Sequence, residues 1–159
     1  MSCATAIAIR PVSAPIGLFG LRADLVALDQ VLLALEHGHT GDRDLEAAIY
    51  EALGWQVSRA EISRRRIAWR TRSPLSTAWL PMPSPLADQA DAASLVPHGW
   101  DYSAGIVGGL PRAWCRERRI RPGHDMPRFT ECNRLTVPRS LSAAALHAHR
   151  IIAMEQRPC

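Results

Sequence analysis

Lysine is absent: all nineteen basic residues of the 159-residue chain are arginine. Arginine is the better bidentate partner of carboxylate and phosphate, but an arginine- and alanine-rich composition also fits a GC-rich coding sequence and by itself demands no function. The four cysteines, Cys3, Cys115, Cys132 and Cys159, lack any C-x-x-C spacing, so free thiols in a reduced cytoplasm are expected. No apolar run nears the roughly 20 residues that a membrane span needs. Met1–Arg10 lacks the basic and long apolar segments of a signal peptide. A G-x-S-x-G elbow, a Gly-rich phosphate loop, an RNP-like aromatic motif and zinc-finger spacing are all missing. Nothing therefore supports an enzyme, and no cofactor is expected.

The charge is unevenly placed. Residues 1–58 carry three arginines against seven acids, a balance of −4; residues 59–159 carry sixteen against eight, a balance of +8. Hydrophobic content of 47% is that of a globular chain long enough for a real core. Residues 1–19, small and apolar with Pro11 and Pro15, read as an N-terminal arm without strong periodicity, or as an edge strand near Ala4–Ile9. Residues 20–156 read as a single domain.

Leu21, Leu25, Leu28, Leu32 and Leu35 recur on one helical face. Asp42 caps a second helix, Arg43–Leu53, with Gly54 at its C′ position. The two form an antiparallel pair with an acidic outer surface. Ile67, Trp69 and Thr71 alternate with Ala68, Arg70 and Arg72 as a half-buried strand, in a segment that holds six arginines in fourteen residues. Ser73–Pro83 reads as a loop, with Trp79 either plugging the core or exposed as a contact. Ser84 caps a third helix that ends at Leu95 before Pro97. Trp100–Val107 and Leu110–Arg118, split by Gly108-Gly109, read as a β-hairpin. Ala113 and Cys115 should face one way, with Arg112, Trp114, Arg116 and Arg118 facing the other. Arg121–Asn133 reads as loop, Cys132–Val137 as a short last strand, and Pro138–Gln156 as a closing helix capped by Thr136.

Three candidate sites follow. The acids Asp24, Asp29, Glu36, Asp42, Asp44 and Glu46 make an acidic face for a protein partner. Arg64, Arg65, Arg66, Arg70, Arg116, Arg118 and Arg119 make a nucleic-acid alternative. Cys115, His124 and Cys132 are the most tempting metal ligands, but their spacing is long and irregular, so no metal is expected. His147 and His149 sit on different faces of the last helix and read as surface residues.

Gly41–Trp55 with its Leu53-Gly54-Trp55 ending, Val96-Pro97-His98-Gly99-Trp100 after a short helix, and Thr136-Val137-Pro138 before an Ala-rich helix together resemble the phage ABA-sandwich domain. The likeness covers roughly residues 40–155, the span of one domain of this size. The first helix, the Ser73–Pro83 loop and the Arg-rich Arg118–Arg134 segment exceed that family's minimal pattern. It implies an α/β (α+β) sandwich, an antiparallel sheet of three or four strands covered by about four helices, in a phage or prophage accessory protein. It carries no catalytic residue across. The expected function is stoichiometric binding to a host protein complex, most concretely interference with host defence in an anti-CRISPR manner. An Arg-rich nucleic-acid binder and a virion component, using the arm and the Trp79 loop, are the alternatives. Oligomeric state is left open.

Overall fold

The computed structural model describes residues 23–37, 42–64 and 66–156. Among the described residues, four helices and two three-stranded antiparallel sheets make an α+β fold. The class and the helices agree with the sequence; the strands number six in two sheets, where a single sheet was expected. The arm lies outside the described residues.

Helix α4 (Val137–Glu155) is the centre of the molecule. Thr136 caps it by accepting from the Arg139 amide, and Ser140 N–H donates to the Thr136 carbonyl at 2.9 Å. Every residue from Arg139 to Leu146 is buried, because the helix is enclosed by a sheet on one side and by other helices on the rest. The small side chains of Ala143, Ala144, Ala145 and Ala148 permit that close approach. Two buried hydroxyls here are satisfied by backbone: Ser142 Oγ donates to the Pro85 carbonyl at 2.9 Å, and Thr130 Oγ1 to the Ala144 carbonyl at 2.8 Å.

The sheet under α4 consists of β4 (Trp100–Val107), β5 (Leu110–Glu117) and β6 (Phe129–Asn133), in that order. Gly108 and Gly109, at φ 59° and 79°, give the two left-handed residues of a tight hairpin turn, with Val107 paired to Leu110. Ala113 and Cys115 face α4, 1% and 0% exposed, and Trp114 and Arg116 face outward, as the alternation requires. The last strand lies earlier than Cys132–Val137: Thr130 and Cys132 point inward while Phe129, Glu131 and Asn133 point out.

Helices α1 (Leu25–His37) and α2 (Arg43–Ala52) pack against each other, and α1 also packs against α4, through Leu28, Val31, Leu32 and Leu35 of α1 and Ile49 and Tyr50 of α2. Asp42 caps α2, and the amides of Gly54 and Trp55 close its end on the Glu51 and Tyr50 carbonyls. Helix α3 (Gln89–Ser94) is shorter than expected. Its cap is Asp88, not Ser84, whose carbonyl instead closes a separate turn with the amides of Ala87 and Asp88.

The second sheet follows α2. Strand β1 (Gln56–Ser63), which the sequence did not reveal, pairs with β2 (Arg66–Arg72), and the two-residue β3 (Leu80–Pro81) joins β2's other edge, where only loop was expected. At its base Thr71 is 1% exposed; toward its tip Ile67 and Ile62 reach 44% and 64%. The sheet is therefore a ribbon, rooted at one end and open at the other.

Candidate nucleic-acid interface

Register divides the ribbon into two faces. Arg72, Arg70, Ala68 and, opposite them, Gln56, Ser58 and Ala60 share one; Thr71, Trp69, Ile67, Val57, Arg59 and Glu61 share the other. Arg64 lies in the turn at the tip, and Arg65 lies outside the described residues. Two tryptophans hold guanidinium groups in place: Arg59 lies over Trp69 at 5.4 Å and Arg72 over Trp79 at 5.0 Å. Trp79 is 37% exposed, so it is a wall for Arg72 and no plug of the core. Arg72 also donates to the Gln56 side-chain carbonyl. A bulge between Glu61 and Ser63 disturbs the outer edge of β1, which hinders pairing with another strand.

Ion pairs separate this ribbon from the rest of the molecule. Elsewhere arginines meet acids: Arg43 with Glu46, Arg118 with Asp101, Arg134 with Glu36, Arg150 with Asp29, and Arg112 with Glu131. Arg128 forks onto Glu117 at 2.6 and 2.8 Å, reaches Glu155 at 2.5 Å and lies over Trp100, while Arg121 also meets Glu155. This bonding holds the Glu117 carboxyl below its usual range and the Arg128 guanidinium above its own. Among the described residues, Arg59, Arg64, Arg66, Arg70 and Arg72 form no ion pair, and beyond the ribbon the same holds of Arg116 and Arg119.

The nucleic-acid candidates thus fall into two groups. Arg64, Arg66 and Arg70 share the ribbon. Arg116 and Arg118 lie on the outer face of β5 and just beyond it, with Arg119 next along the chain. Arg118 is engaged by Asp101 at 2.7 Å, and Arg116 lies over the Trp114 ring at 5.7 Å. Trp114 in turn packs against Phe129, ring centroids 6.1 Å apart.

Five of the six acidic candidates are individually occupied. Asp24 accepts from the Val26 and Ala27 amides at the start of α1, and Asp42 caps α2. Asp29 and Glu36 hold Arg150 and Arg134. Glu46 is not on the acidic outer surface assigned to it: at 1% exposure it accepts from Arg43 at 2.6 Å and from the Leu86 amide at 3.2 Å. Arg43 also donates to the Met82 and Pro83 carbonyls and to Ser84 Oγ, which locks α2 to the chain segment before α3. Asp44 stands exposed in the first turn of α2.

Cys115 and Cys132 are buried free thiols on the inner sheet face, whereas His124 is exposed in the β5–β6 connection. Among the described residues no three His, Cys, Asp or Glu side chains are grouped to hold a metal ion. Desolvation, reinforced by Cys132, pushes the Cys115 thiol up to about 12, and burial raises Cys132 as well. His149 is not a surface residue. Its Nε2–H donates to the Leu95 carbonyl at 2.9 Å, and loss of hydration brings the imidazole down to about 4. His147 is also lowered, first by desolvation and then by Arg134 and Arg150.

What sequence reasoning missed is the pairing that makes the arginine run a ribbon. The signal was faint: β1 reads Gln-Val-Ser-Arg-Ala-Glu-Ile-Ser, with only Val57 and Ile62 as strong strand formers. Phe129 was also missed, because Pro122 and Pro127 made its surroundings read as loop. No helix among the described residues is long and apolar enough to cross a membrane. No protein-family model, curated protein or solved structure matches the chain.

Proposed function

We propose that this chain is a nucleic-acid-binding protein whose principal contact is the β1–β2 ribbon. The observation that supports this is the segregation of charge. Arginine is balanced by acid over most of the fold, while the projecting ribbon presents five described arginines with Glu61 as its one acid. A two-stranded ribbon has the width to enter the major groove of duplex DNA. Guanidinium groups laid on Trp69 and Trp79 are already oriented, which lowers the entropy lost when they meet phosphate.

A gel shift with a random-sequence duplex at low salt tests the proposal. The wild-type chain should retard it, and the combined Arg64→Ser, Arg66→Ser, Arg70→Ser variant should not. These side chains are exposed and unpaired, so the variant should keep its thermal midpoint. Wild-type protein that shifts no duplex even at low salt would rule the function out.

The narrower proposal, a phage accessory protein that occupies a host defence complex through an acidic face, is supported by the sequence resemblance. The geometry supports it less, since Asp24, Asp29, Glu36, Asp42 and Glu46 all have internal tasks. Capture of a host complex that survives nuclease treatment and is lost in Asp44→Arg would favour it over nucleic-acid binding.

A further inference from the structure

Strand β4 is a free edge: the order β4-β5-β6 leaves no strand on its far side among the described residues. The two-residue turn at Gly108-Gly109 makes Val107 and Leu110 a hydrogen-bonded pair. Bonded and non-bonded pairs alternate along an antiparallel ladder, so Gly105, Ser103 and Asp101 also point their amides and carbonyls at β5. The Arg118 N–H, donated to the Gly99 carbonyl at 2.9 Å, continues that series. Tyr102, Ala104 and Ile106 therefore aim their backbone groups away from β5, into the open edge. Trp100, which precedes them in the same parity, is already served, since its amide donates to the Pro97 carbonyl at 3.1 Å.

The other sheet edges are blunted. Strand β1 has its bulge between Glu61 and Ser63, β3 has two residues of which one is Pro81, and β6 has five with Glu131 at their centre. Strand β4 keeps an eight-residue ladder with no bulge and no proline, and its one charge, Asp101, is bound by Arg118.

This edge is complementary to itself. Two copies related by a two-fold axis through Ala104 run antiparallel and oppose every free group. Ala104 meets Ala104 of the second copy, and Tyr102 meets Ile106 in both directions, each pair exchanging both of its bonds. Ile106, 62% exposed, gains the Tyr102 ring as cover. On the opposite face Ser103 falls against Gly105 and Asp101 against Val107, so no like charges meet. Moving the axis to Tyr102 or Ile106 leaves free groups unopposed. We propose that β4 is a homodimerisation edge, across which a second copy of this chain adds its own β4 and joins the two β4–β5–β6 sheets into one. The inference is independent of nucleic-acid binding by the ribbon.

The test uses the full chain. Light scattering over a concentration series rising to the sub-millimolar range should show twice the chain mass. In hydrogen exchange over the same series, the amides of Tyr102, Ala104 and Ile106 should slow in step with the dimer fraction, by about tenfold or more at saturation. Those of Ser103 and Gly105, bonded to β5 in either state, should change little. Ala104→Pro removes a free donor and no β4–β5 bond, so it should stay folded and be monomeric. Ile106→Lys, a charge at an already exposed edge position, should also be monomeric with an unchanged thermal midpoint. Wild-type protein that remains monomeric throughout the series would overturn the proposal. So would a dimer whose three edge amides exchange as fast as in the monomer, or one that persists in either variant. Slow exchange of those amides in a monomer would put another segment of this chain on the edge and overturn it as well.

Discussion

Arg43 and Glu46 lie one turn apart on α2, a spacing usually associated with a weak solvent-exposed pair. Their surroundings change that. Glu46 is buried and also accepts the Leu86 amide, while Arg43 satisfies two backbone carbonyls of the segment before α3. Removing the carboxylate leaves a half-buried guanidinium without its counter-ion and a buried amide without its acceptor. Glu46→Ala should therefore lower stability by about 2–4 kcal/mol in denaturant titration. Glu46→Gln, which keeps an acceptor for the amide, should lose less. A loss no greater than that of an exposed Asp44→Ala control would contradict this role. The sequence placed Glu46 on an acidic outer face because helical periodicity gives direction only relative to the helix. It does not reveal what comes to cover that side from forty residues away.

At the scale of elements, caps and turns were legible because their chemistry is local. Asp42, Gly54, Thr136 and the Gly108-Gly109 turn act within a few residues of themselves. Gly109→Val should cost the β4–β5 hairpin stability, since φ of 79° is strained for a branched side chain, and the thermal midpoint should fall by several degrees. The alternation of Ala113 and Cys115 with Trp114 and Arg116 was equally plain, because one face of β5 is wholly buried. Strands β1 and β6 were not legible as they stand. Little of β1 is buried, so its strand character comes from its partner β2. In β6 the inward pair Thr130 and Cys132 is short and polar enough to pass for loop. Ser84 misled because its hydroxyl, suited to capping, is engaged by Arg43 instead. The candidate site suffered most from this. An arginine run gives composition without geometry, and only pairing shows that its members share a projecting ribbon.

At the scale of the whole molecule, the titrating groups bracket a pH range of stability. His149 and His147 lie lower in the folded chain than when unfolded, so the unfolded state binds more protons below pH 6.5. Their stabilising contribution is complete above pH 6.5 and is lost as pH falls toward about 4. For the partly exposed His149 ring this is on the order of 2 kcal/mol. The lowered Glu117 carboxyl acts in the same direction at still lower pH. Cys115, raised from 9.0 to about 12, acts in the opposite direction: its contribution is present below pH 9 and fades above it. Urea midpoints should form a plateau between about pH 7 and 9 and decline on both sides. His149→Gln should flatten the acid limb, and an unchanged limb would show that the imidazole is hydrated.

The central claim, that the β1–β2 ribbon binds nucleic acid through arginines left unpaired by the fold, is most directly tested by the salt dependence of duplex affinity. Each phosphate neutralised contributes about −0.9 to the slope of log affinity against log salt, so contacts by three to five ribbon arginines predict a slope between about −3 and −5. Replacing Arg66 and Arg70 with serine should make the slope shallower by roughly 2. A wild-type affinity that is flat in salt, or a slope unchanged in that double variant, would contradict the account.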